Sequence, residues 1–245
     1  MTEFRIRSWV TEVWVSRARE ARILDAAGEL LLVFGYRRVT VDDVARRAEV
    51  GKGTVYLHWS SKLELFATVM LREVAGLVAD QLAAMRADPA EILLHRTMRR
   101  MFLLVMRRPL ARAFYTGDTE LLGALITDTK IGLRFAAQKS AMGAPYLAAL
   151  HEHGLLADDP AVESGLPYRL SGATSGFFLL ERMLPAGVDV DLETKADGLA
   201  QVVRRSFEPA TEPDPDELAA AAAAVVELYE QLLAELVATL PEEDK

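Results

Sequence analysis

The sequence predicts an all-α protein, an N-terminal three-helix helix-turn-helix domain followed by a larger helical domain, and three observations carry that prediction. Apolar residues recur three and four apart along most of the chain, with neither an alternating strand pattern nor an internal repeat. Asp-Pro stands where several apolar runs begin, as Asp88-Pro89, Asp159-Pro160 and Asp214-Pro215, each with an acid in the following turn. Asp caps a helix, Pro suits its first position, and the acid suits the helix dipole. Finally, 51% hydrophobic against 26% charged residues over a length of 245 allows one to two soluble domains with ample core.

Helices are expected near residues 18–34, 41–48, 52–58, 62–86, 90–107, 119–142, 144–153, 160–184, 192–206 and 215–240. The most informative stretch runs from Thr40 to Lys62. Thr40 is placed to cap a short helix with Asp43 as its capping-box partner, and Val44, Ala45 and Ala48 give that helix a small apolar face. Val50 and Gly51 break it. Val55 and Trp59, four apart, anchor a second short helix, and Ser61 with Glu64 three residues later opens a third. Val44, Ala45, Ala48, Val55, Trp59 and Leu63 read as the core of this subdomain.

Core packing does not explain why Lys52, Thr54, Tyr56, His58 and Lys62 gather on and beside one short helix, with Lys62 left exposed at the start of the next. These side chains suit phosphates and base edges, so the pattern reads as a DNA-binding helix-turn-helix. A phosphate loop is the alternative that Gly51-Lys52-Gly53-Thr54 invites. The Walker pattern, however, puts Ser or Thr directly after its Lys, and here Gly53 follows.

From Val39 to Phe66, preceded by the helix Ile23-Leu24-Asp25-Ala26-Ala27 to Phe34-Gly35-Tyr36, the chain resembles the DNA-binding domain of the TetR family of transcriptional repressors. The resemblance rests on Thr40-Val41, Val44-Ala45, Lys52-Gly53-Thr54-Val55-Tyr56, His58-Trp59 and Lys62, and covers about the first quarter of the chain. Glu49 departs from it, standing where a turn Gly is usual, so a residue with a Cβ must take the tight turn. Gly51 replaces the common Ser cap, and His58-Trp59 the frequent Tyr-Phe. The resemblance implies DNA contacts from Thr40, Gly51, Lys52, Gly53, Thr54 and Tyr56, together with Leu57, His58 and Lys62.

It also implies that residues 66–245 dimerise and hold a small-molecule effector, leaving 18–65 as the DNA-binding domain and 1–17 as an extension. Within the extension Trp9, Val10, Val13 and Trp14 cluster among Arg5, Arg7 and Arg17, which suits a short helix packing on the body better than a basic arm in a DNA groove. Apolar material for an effector pocket comes from Met98, Phe102, Met106, Phe114, Tyr115 and Leu125, with Phe135, Tyr146, Phe177 and Phe178 further on. Arg134, Gln138, Arg169 and Thr174 could orient a ligand, as could His95 and Tyr168. Taken singly, each apolar residue among them is better read as ordinary helix core. The wide apolar stripe from Val225 to Leu240, with Gly172 and Gly176 one turn apart in the 160–184 helix, points to a homodimer through the last long helices.

The net charge of −8 looks wrong for a partner of DNA, but its distribution answers the objection. Residues 1–65 hold eleven Lys and Arg against nine Asp and Glu, so the acidic excess lies entirely in the remainder. Zero Cys excludes disulfides and thiolate chemistry and fits a reducing interior. Neither a membrane span nor a signal-peptide core is evident, which makes the cytoplasm the expected location. Catalysis has little support: His151 and His153 diverge on a helix and lack an evident third metal ligand, and neither a nucleophile elbow nor a cofactor loop appears. The expected function is a repressor released from a palindromic operator by a largely apolar effector, needing no cofactor. The alternative is a ligand-independent dimeric DNA-binding protein.

Overall fold

The computed structural model describes residues 18–123, 125, 143–183 and 190–238. The readings for 1–17, Arg134, Phe135 and Gln138 therefore lie outside the described residues. The described regular structure is helical, in agreement with the all-α prediction. The first four helices are α1 (Ala18–Arg38), α2 (Val41–Arg47), α3 (Lys52–His58) and α4 (Lys62–Ala87). A 3-10 turn (Pro89–Ile92) leads to α5 (Leu94–Met106), α6 (Pro109–Tyr115) and α7 (Thr119–Leu122). A helical stretch over 143–152 (α8) precedes α9 (Leu166–Met183), α10 (Leu192–Phe207) and α11 (Pro215–Ala238).

Most boundaries follow from the capping chemistry. Thr40 and Asp43 form the expected reciprocal box: Thr40 Oγ1 accepts from Asp43 N at 3.2 Å, and Asp43 accepts from Thr40 N at 3.0 Å. Ser61 caps α4 by accepting from Glu64 N, but the Glu64 carboxylate reaches one residue further back than a capping box requires, to Ser60 N at 2.8 Å. Asp88 and Asp214 cap as expected. Asp159 does not start a helix, in contrast to the expected 160–184 segment. It accepts from Ala161 N and closes a turn through its carbonyl, and the helix begins only at Leu166. The expected 90–107 helix is likewise divided at Leu93, whose extended backbone separates the 3-10 turn from α5, and α6 was not anticipated.

Two cores share the long helix α4, which is about 39 Å long at 1.5 Å per residue. The first gathers Ile23, Leu24, Leu31, Val44, Val55 and Trp59 with Leu65, Phe66, Val69 and Met70 of α4. The second takes α4 from Leu71 to Met85 and adds α5, α8, α10 and α11. Leu110, Ala113 and Leu122 of α6 and α7 also enter the first core, although they lie far along the chain. Their approach needs Gly35, whose φ of 72° breaks α1 and whose missing Cβ would sit 3.3 Å from the Glu120 carbonyl oxygen.

Candidate nucleic-acid interface and effector core

The α2–α3 unit is held from beneath. Val44 and Ala45 of α2, Val55 of α3 and Trp59 beyond it are buried, and the Trp59 indole donates to Thr68 Oγ1 at 3.0 Å. The turn between the helices passes through Glu49 at φ 57°, the only described non-glycine residue with positive φ, and Val50 N closes it on the Ala45 carbonyl at 2.9 Å. The left-handed conformation expected where a turn Gly is usual is thus adopted by a residue with a Cβ, and it carries strain.

With its inner face fixed, α3 turns Gly51, Lys52, Gly53, Tyr56 and Leu57 toward solvent, while Thr54 is half-buried. Leu57 is 84% exposed, an unusual position for a leucine on a helix that already has its core anchors. A Cβ on Gly53 would meet nothing within 4 Å, so the chain itself gives no steric reason for glycine there. Lys52 pairs with Asp42 across the turn at 3.0 Å, and that hydrogen bond raises the ammonium pKa.

Two residues sit differently from their sequence reading. His58 is not part of the solvent-facing surface: its Nδ1 lies 3.1 Å from Glu20, a carboxylate buried at the start of α1, and its ring packs on Trp59. Lys62 is half-buried, not exposed. Its ammonium donates to the Tyr36 carbonyl and stands 4.3 Å over the Tyr36 ring, and partial burial lowers its pKa. Both side chains brace the subdomain, because α1 passes close to the ends of α3 and α4, a proximity with no local sequence signal.

In the second core the expected aromatic residues do converge. Phe102 meets Phe178 at 5.1 Å and Phe177 edge-on at 6.4 Å, and Phe178 stacks against Tyr115 at 5.0 Å. Met98 and Met106 pack beside them, half-buried. Phe114 and Leu125 belong instead to the first core: α6 presents successive side chains to the two cores, and Leu125 follows α7, which packs on α1. Tyr146 is buried with its hydroxyl bonded to the Ile92 carbonyl at 2.7 Å and to Thr97 at 3.0 Å, so it is tied into the framework. Burial raises its pKa, as it does for Tyr115 and Tyr229, with Tyr115 adding to the shift at Tyr229.

The expected orienting groups lie outside this cluster. Arg169 is exposed, pairs with Asp158 at 2.8 Å and flanks the Phe207 ring, and Tyr168 is 84% exposed. Thr174 donates to the Leu170 carbonyl of its own helix, and His95 bonds Glu208 at 2.7 Å on the wall of an open cleft with Gln201, Arg204 and Arg205. His151 faces Asp159 and His153 faces Glu217, and among the described residues no metal-binding cluster forms. Sequence reasoning missed Gln81 and Thr97, buried polar residues whose helical spacing resembles that of surface positions.

Comparison with known proteins decides the family. The model described as "Bacterial regulatory proteins, tetR family" matches residues 23–69, from within α1 to within α4. The transcriptional repressor KstR of Mycobacterium tuberculosis is 30% identical over 150 residues, which cover 58% of this chain and 67% of that protein. The chain belongs to the TetR family. The transcriptional activator FasR of Mycolicibacterium smegmatis is 41% identical over 68 residues, 28% of this chain and 31% of that protein. The chain thus spans about a third of the length of the first curated relatives it matches. A solved structure of a putative transcriptional regulator from Saccharomonospora viridis in complex with choline superposes with a TM-score of 0.53 at 22% identity, covering 79% of this chain and 99% of that one, and shows the shared fold. TetR-family proteins are transcription regulators and not enzymes. Among the described residues, no helix is long and apolar enough to cross a membrane.

Proposed function

We propose that this TetR-family chain represses transcription as a homodimer, reading a palindromic operator with α3 and leaving it when a largely apolar effector enters the body. The observation that carries the DNA reading is the surface of α3. Gly53, in the first turn of α3, and exposed Tyr56 and Leu57 have no use within the chain. All three suit close approach to a groove. Lys52 and Tyr56 hold phosphates, with Lys52 exchanging Asp42 for backbone oxygens. Thr54 touches a phosphate or a thymine methyl, and Gly51 admits the backbone. Thr40 lies at the same edge, and Lys62 keeps N–H donors beyond the one given to Tyr36.

Residues 18–65 form the DNA-binding domain in this reading and 66–245 the effector and dimer domain, with the boundary on the continuous helix α4. A second copy has a natural seat on α9. Tyr168, Leu179, Leu180 and Met183 are exposed there, and Gly172 and Gly176 have open space around them. The α11 stripe contributes less than its sequence suggests, since Val225, Tyr229, Leu233 and Leu236 are buried within the chain. The effector occupies the Phe102, Tyr115, Phe177 and Phe178 cluster.

Selection of bound DNA followed by titration in rising salt tests the reading. Lys52→Ala should weaken all sequences alike and lower the salt slope by about one unit per subunit. An unaltered preferred site and affinity after joint replacement of Lys52, Tyr56 and Leu57 would defeat it. A mass of about one chain in light scattering at micromolar concentration would defeat the dimer. Full operator affinity in the presence of every bound apolar compound would favour the ligand-independent alternative.

A further inference from the structure

One buried group in the second core has an unmet hydrogen bond, and its chemistry specifies what the core is built to hold. Gln81 on α4 is only 2% exposed. Its Nε2 donates to the Thr97 carbonyl at 3.4 Å, and because a carbonyl oxygen only accepts, the amide cannot be turned over. Gln81 Oε1 therefore faces the other way, sealed from solvent, and meets no donor among the described residues.

The hydroxyls nearby cannot supply one. Thr97 gives its proton to the Glu91 carbonyl, and Tyr146 bonds Ile92 and Thr97. Tyr146 in turn packs edge-on against Tyr229 at 6.3 Å, and Tyr229 feels the phenol of Tyr115 in the aromatic cluster. A chain of neighbours thus leads from the orphaned acceptor to the apolar surface of Phe178 and Phe102. Charge is already balanced in the surroundings. Glu91 pairs with Arg96 at 2.6 Å and Arg100 at 2.5 Å, and Glu208 with His95.

Resting on the effector reading above, we propose that the ligand of this core is a neutral, largely apolar molecule carrying a hydroxyl group, which donates to Gln81 Oε1 while its carbon body lies against Phe102, Tyr115 and Phe178. A neutral hydroxyl fits because an acceptor is waiting and, among the described residues, the charges nearby already have partners. Gln81 lies on α4, the long helix that runs from this core into the Trp59 core, so parting α4 from its neighbours to reach Oε1 acts directly on the support of α3.

Calorimetric titration of the full-length protein with para-hydroxybiphenyl and para-methoxybiphenyl tests this, since the second probe differs by lacking the donor. The hydroxyl probe should bind at least about tenfold more tightly, the weight of one buried hydrogen bond. Gln81→Met should bring the two probes within about threefold, because an apolar group of similar shape removes the acceptor that tells them apart. Gln81→Leu repeats the test should the methionine variant not fold. Equal binding of the two probes by the unmodified protein, or discrimination that survives both substitutions, would overturn the assignment and leave the effector reading standing. Binding of neither probe would overturn both.

Discussion

The two cores on α4 differ in what their buried polar groups meet. Around Trp59 the buried indole donates to Thr68, and the buried Glu20 carboxylate meets His58. Around Phe102 the body buries Gln81 Oε1, which meets no donor among the described residues, and burial raises the pKa of Tyr115 and Tyr229, with Tyr115 adding to the shift at Tyr229. A surface that reads DNA benefits from one rigid arrangement. A core that admits a ligand benefits from polar groups whose partners the ligand brings, at some cost in stability.

The sharpest way to break this contrast is to remove the anchor of the first core. Trp59→Ala should destabilise by about 3–5 kcal/mol, from the lost burial of the ring and the lost indole bond to Thr68, and should abolish DNA binding in denaturation and gel-shift measurements. A much smaller loss would mean that the first core is as adaptable as the second.

Alkali should act on the other core. The buried phenols Tyr146 and Tyr229 have folded pKa values raised above the ordinary 10.0. Their contribution to stability is therefore complete below pH 10.0 and is lost as pH rises from there through the folded values. Unfolding free energy followed by circular dichroism should fall by about 1.4 kcal/mol per pH unit for each such phenol. Tyr229→Phe should remove one share of that slope, and an unchanged slope would refute the role of Tyr229.

Smaller changes test the framing of α2 and α3. Thr40→Ala should cost about 1 kcal/mol in urea denaturation through the lost cap of α2, and should weaken DNA binding with little effect on ligand affinity in the body. Glu49→Gly should work in the opposite direction. The left-handed conformation costs an L-residue about 1–2 kcal/mol and glycine's extra backbone entropy offsets about 0.5–1 of that, leaving a net gain of up to about 1.5 kcal/mol. A melting temperature that fell with Glu49→Gly would show that the Glu49 side chain does more than tolerate the turn.

Local chemistry made much of this protein legible in advance. The Thr40 box, the Ser61 cap, the anchors Val55 and Trp59, and the helix starts at Asp88 and Asp214 depend on residues within a few positions of one another, and the structure places them as their spacing requires. Asp159 shows the limit of that chemistry, because capping a first turn does not supply the apolar face that would continue a helix. Tertiary structure alone decided that Lys62 and His58 brace α1, that Phe114 and Leu125 join the first core, that the α11 stripe is covered within the chain, and that Gln81 is buried without a donor. In each case the partner comes from a distant part of the chain, and helical periodicity marks which face of a helix is apolar without saying which distant helix covers it.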